Sequence, residues 1–139
     1  MLAPFPHRYS VRLEHRQLVA PPRSPIALGP PPQFGGDDRA WSPEELLVGA
    51  TLECLWTTFD AYARHAGVVV DDWVGGGVGV LDKGPHGPTF TSIELSVAIV
   101  VAAANVEHAR QLLARAEDHC IISRALRVPI TVHADVHAP

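Results

Sequence analysis

The chain has 139 residues, a formal net charge of −4 at pH 7 and 47% hydrophobic content. That length suits a single domain with one core over residues 1–139. The negative balance, with Lys and Arg scattered, argues against a nucleic-acid footprint, and no apolar run approaches the roughly 18 residues that cross a bilayer.

The opening residues Met1-Leu2-Ala3-Pro4-Phe5-Pro6 lack the charged and apolar regions of a secretory leader. With only two cysteines, Cys54 and Cys120, the expected compartment is the cytoplasm, where thiols stay free. Tyr9-Ser10-Val11-Arg12-Leu13-Glu14-His15-Arg16 alternates apolar with polar and predicts a half-buried strand. Pro21-Pro22-Arg23-Ser24-Pro25 ends it, and Ile26-Ala27-Leu28 predicts a short returning strand. The stretch from Pro30 to Asp38 reads as a loop, either a plain connector or a wall of a site.

A long helix follows. Ser42 caps it, Pro43 suits the first helical position, Glu45 completes an S-x-x-E capping box, and Gly67 supplies a left-handed stop. At about 100° per residue, Leu47, Ala50, Thr51, Cys54, Thr58, Ala61 and Tyr62 share one side, which is expected to be buried, while Glu53 turns to solvent. Val68–Val74 and Val78–Leu81 predict strand, with Gly75-Gly76-Gly77 as a bulge or sharp twist between them. That glycine run lacks the spacing and the following helix of a phosphate cradle.

Lys83–Pro88 predicts a turn. Phe90–Val100 predicts a strand with Ile93, Leu95, Val97 and Ile99 on one face. Asn105 is expected to cap a second helix whose apolar stripe is Val106, Ala109, Leu112, Leu113 and Ala116. A short helical turn over Ser123–Leu126 and a strand over Val128–Val136 close the chain. The order β-β-α-β-β-α-β, without regular alternation, predicts an α+β fold with two main helices on an antiparallel sheet.

Spacing alone leaves the two cysteines open, either as small buried hydrophobes or as chemistry. They have no metal-ligand spacing, and the eight histidines are scattered apart from His119 beside Cys120, so neither a metal nor another cofactor is expected.

The Ser-Pro-Glu-Glu-Leu-Leu run, with ten residues from Glu44 to Cys54, resembles the signature of the OsmC/Ohr superfamily of organic hydroperoxide reductases. The likeness continues through Gly79-Val80-Leu81-Asp82, Phe90–Leu95 and Ala116–Ser123, and covers about residues 33 to 136. The resemblance implies the OsmC-like fold as an intertwined homodimer and a thiol peroxidase without haem or metal. Cys54 would be the attacking thiolate, and Cys120 would resolve its sulfenic acid as a disulfide. A dithiol reductant of lipoyl type would then reduce that disulfide.

In the family an arginine stabilises the thiolate and a glutamate orients the arginine. Glu44 matches the glutamate, and Arg12 and Arg16 are both available near the end of the first strand. Where other members carry the arginine before the Gly-rich loop, this chain has Gln33-Phe34-Gly35-Gly36. The alternative implied by the same resemblance is a non-peroxidatic thiol or small-ligand-binding member.

Overall fold

The computed structural model describes residues 4–139; residues 1–3, part of the opening stretch read as carrying no leader, lie outside it. The chain divides into two compact units, one running to Leu46 and one from Leu47 to Pro139.

The first unit carries a small antiparallel sheet of β1 (Arg12–Glu14), β2 (Gln17–Val19) and β3 (Ile26–Ala27). The strand expected from Tyr9 to Arg16 is shorter, because the chain reverses at His15 and Arg16. Both have positive φ (49° and 60°), the backbone that a two-residue hairpin turn demands. Nor is β1 half-buried, since all three of its residues are exposed. The loop after β3 contains one 3-10 turn, Pro32–Phe34.

Helix α1 (Pro43–His65) begins in the first unit and runs on through the second. Its capping box forms: Ser42 Oγ donates to Glu45 Oε1 at 2.8 Å, and Glu45 N–H donates back to Ser42 Oγ at 3.1 Å. Gly67, at φ +72°, lets the chain leave the helix in the left-handed region. The buried line is Thr51, Leu55, Phe59 and Ala63. It is turned from the expected face, with Ala61 exposed and Cys54 and Thr58 on its half-buried flank. Leu55 and Phe59 carry more apolar area than Ala50 or Ala61, so burying them gains more.

The second unit's sheet has the order β4 (Val70–Gly84), β5 (Gly87–Val101), β6 (Ile130–His137). Strands β4 and β5 form one long antiparallel hairpin. The expected break at Gly75–Gly77 is absent; the irregularities in pairing fall between Val70 and Asp72 and between Val80 and Leu81. The glycines are a bed for α1 instead. A Cβ on Gly77 would lie 2.8 Å from Val48 and 3.0 Å from Leu95, and one on Gly79 would lie 2.8 Å from Val48 and 2.9 Å from Phe90. Alternation puts Gly75, Gly77 and Gly79 on one face, and only there can the helix approach so closely.

Helix α2 (Val106–His119) buries Ala109, Leu112, Leu113 and Ala116 as its stripe predicts, but Asn105 occupies the cap position without a side-chain bond. After α2 and the short α3 (Ile121–Ala125), β6 returns beside β5 and runs parallel to it. The sheet is therefore mixed rather than antiparallel throughout, because a helical crossover brings the chain back to the end where β5 began. The core lies between the inner faces of α1 and α2 and the β5 residues Ile93, Leu95, Val97, Ile99 and Val101. Trp56 and Phe59 pack with Trp73, at ring separations of 4.8 and 5.6 Å. Among the described residues no helix is long and apolar enough to cross a membrane.

Candidate active site

Cys54 stands in the middle of α1, one helical turn before Thr58, and its Sγ is 3.9 Å from Thr58 Oγ1. Glu53, its neighbour, is exposed. Cys120 is the single extended residue between α2 and α3 (φ −64°, ψ 113°), and it is 1% exposed. The helix breaks at Cys120 and restarts at Ile121, so the first N–H groups of α3 have no carbonyl a turn earlier to bind. Those N–H groups and the Cys120 thiol face Cys54. Both cysteines are free thiols.

The two sulfurs are displaced in opposite directions. Burial pushes the Cys54 thiol up, but hydrogen bonds to its thiolate from Ile122 N–H, the Cys120 thiol, the Thr58 hydroxyl and Ile121 N–H together bring it below its ordinary value. Burial also pushes the Cys120 thiol up; Ser123 works against this, and the adjacent Cys54 adds to it, leaving Cys120 above its ordinary value. Within the second unit the groups acting on Cys54 are hydrogen-bond donors, and none is a cation. The arrangement holds two thiols side by side, one lowered and the other raised.

The remaining expected residues belong to the first unit. Arg12 pairs with Glu14 (Nε to Oε1, 2.7 Å) and is largely exposed, and Arg16 sits in the β1–β2 turn. Glu44 opens the first turn of α1, and its Oε2 is buried with no hydrogen-bond partner among the described residues. A buried carboxylate oxygen without a partner is costly and ordinarily has a donor. His119, the neighbour of Cys120, turns its Nδ1 to the Arg115 carbonyl at 2.8 Å.

Thr58 and the Ile121 and Ile122 N–H groups were missed by sequence reasoning. The i, i+4 spacing of Cys54 and Thr58 was a usable signal, whereas nothing local marks the two amides. Among the described residues no group of three or more His, Cys, Asp or Glu is placed to hold a metal.

Residues 35–135 match the family model described as OsmC-like protein. No curated protein matches the chain. Among solved structures, an OsmC-like protein of unknown function from Vibrio cholerae has a TM-score of 0.77 at 18% identity, covering 85% of this chain and 82% of that one. An organic hydroperoxide resistance protein OsmC from Legionella pneumophila has a TM-score of 0.71 at 21% identity, covering 94% and 98%. An organic hydroperoxide resistance protein from Elizabethkingia anophelis, with thiocyanate bound, has a TM-score of 0.72 at 17% identity, covering 97% and 100%. At these identities the likeness establishes the fold.

Proposed function

The chain belongs to the OsmC-like protein family, and from that premise we propose that it is a cysteine-based peroxidase that reduces organic hydroperoxides. One observation carries the reading: a thiol held below its ordinary value, Cys54, faces a thiol held above it, Cys120. The attacking sulfur of a peroxidatic pair must be a thiolate, which the lowered value of Cys54 favours.

The Cys54 thiolate attacks the outer oxygen of the hydroperoxide. The S–O bond forms, the O–O bond breaks, and the leaving alkoxide takes a proton to depart as an alcohol. Cys54 is then a sulfenic acid, oxidised by two electrons. The Cys120 sulfur displaces its hydroxyl as water, forming the Cys54–Cys120 disulfide. A dithiol reductant of lipoyl type returns both thiols by exchange and leaves with its own disulfide. This cycle belongs in a reducing compartment such as the cytoplasm.

The working form is a homodimer. The exposed strand β1 and the partnerless Glu44 Oε2 support it, because a second copy can cover the one and supply a donor to the other. In that assembly Arg12 or Arg16 acts as the cation beside Cys54, oriented by Glu44. A second reading is a non-peroxidatic thiol or small-ligand-binding protein, favoured by the lack of a cation among the second-unit groups acting on Cys54.

Stoichiometric cumene hydroperoxide, followed by titration of free thiols, separates the two. The peroxidase loses two thiols per chain within seconds. Retention of both thiols favours the second reading.

A further inference from the structure

Helix α1 carries threonines at 51, 57 and 58, and their hydroxyls behave differently. Thr51 Oγ1 donates to the Leu47 carbonyl at 2.8 Å, and Thr57 Oγ1 donates to the Cys54 carbonyl at 3.2 Å. Both are the usual back-bonds of helical threonine. Thr58 instead directs its half-buried hydroxyl at a sulfur, Cys54 Sγ, 3.9 Å away.

We propose that Thr58 is a positioning residue for the Cys54 sulfur, donating its O–H to the thiolate and holding Sγ in the rotamer that faces Cys120 and the start of α3. With a neutral thiol either group can donate, but a thiolate has no proton, so the direction is then set by Thr58. Charge-assisted hydrogen bonds are shorter than neutral ones, so the contact tightens as the nucleophile forms. The β-branched side chain has few helical rotamers, which makes it a firm stop for the sulfur. The groups bearing on Cys54 are Thr58 from its own helix and, from the α2–α3 junction, the titratable Cys120 with the Ile121 and Ile122 amides. Thr58 is the one hydroxyl in that set.

The role rests on Cys54 being the nucleophile in the proposed function, yet it is testable without peroxide. Iodoacetamide alkylation is followed against pH on the reduced full-length protein, with the Cys54 and Cys120 tryptic peptides resolved by mass spectrometry. Thr58→Val keeps the shape and removes the donor. It is expected to move the Cys54 midpoint up by about half to one pH unit and to slow its alkylation at pH 7 about three- to tenfold, while Thr58→Ser stays close to the parent. A midpoint unchanged in Thr58→Val overturns the proposal, as does an equal shift in Thr58→Val and Thr58→Ser, since Thr58→Ser keeps the hydroxyl. Should Thr58→Val not fold, Thr58→Ala against Thr58→Ser is read by the same criteria. Loss of the peroxidase reading alone leaves these midpoints untouched, so the two failures are distinguishable.

Discussion

Cys54 and Cys120 lie 66 positions apart in sequence and face each other where α2 ends and α3 begins, one thiol displaced down and the other up. On the proposed function Cys54 reacts first. At pH 7 a limiting amount of iodoacetamide is expected to modify Cys54 well before Cys120, which is also sealed from solvent. Comparable labelling of the two peptides would contradict the assignment.

The same displacements give stability a pH dependence. Cys54 is lower in the folded state than its ordinary 9.0. Its contribution is therefore full above that value and is lost as pH falls through the folded value. Cys120 is higher than 9.0, so its contribution is full below 9.0 and is lost as pH rises through the folded value. Urea midpoints measured from pH 7 to 10 are expected to lose their rise toward pH 9 in Cys54→Ser and their fall above it in Cys120→Ser. Identical profiles in both variants and the parent would argue against either shift.

Removing the second thiol is expected to strand the first oxidised product. In Cys120→Ser one equivalent of hydroperoxide is consumed, and the sulfenic acid persists long enough for a dimedone adduct to form on the Cys54 peptide. Cys54→Ser consumes none. Continued turnover by Cys54→Ser would transfer the nucleophile's role elsewhere.

Val48 rests against the glycines of β4, and this contact allows a graded test of the packing. Gly77→Ala, whose Cβ would meet the Val48 and Leu95 side chains at 2.8 and 3.0 Å, is expected to cost about 1–3 kcal/mol by overpacking. Gly76→Ala, with nothing within 4 Å of its Cβ, serves as the control and stays within about 0.5 kcal/mol. Chemical denaturation reads both, and equal midpoints would deny that the tract is there to admit the helix.

Glu44 tests the assembly. Ten residues along α1 place it about 15 Å from Cys54 on the helix axis, beyond the reach of a glutamate side chain. In the proposed dimer each site draws on both chains. Mixing inactive Glu44→Ala with inactive Cys54→Ser chains is expected to restore part of the peroxidase activity, since a mixed dimer holds one intact site. If the subunits exchange by mass spectrometry and activity stays at zero, Glu44 does not serve a partner's cysteine.

The bounds of α1, the stripe of α2 and the inward face of β5 are legible in the sequence because each is decided by residues within a few positions of one another. Ser42 meets Glu45 one turn on, Gly67 relaxes its own backbone, and Ile93 to Ile99 alternate along one strand. The family signature likewise singles out Cys54 and Cys120 without a structure. Only tertiary structure decides that Leu55 and Phe59, rather than Cys54, hold the buried centre of α1, that Gly77 and Gly79 are a bed and not a bulge, and that β6 runs parallel to β5. Each depends on a surface supplied from far along the chain. The same holds for the thiols. Amides at the start of α3 lower one sulfur while burial raises the other, and neither effect exists until α1 is laid against the α2–α3 junction.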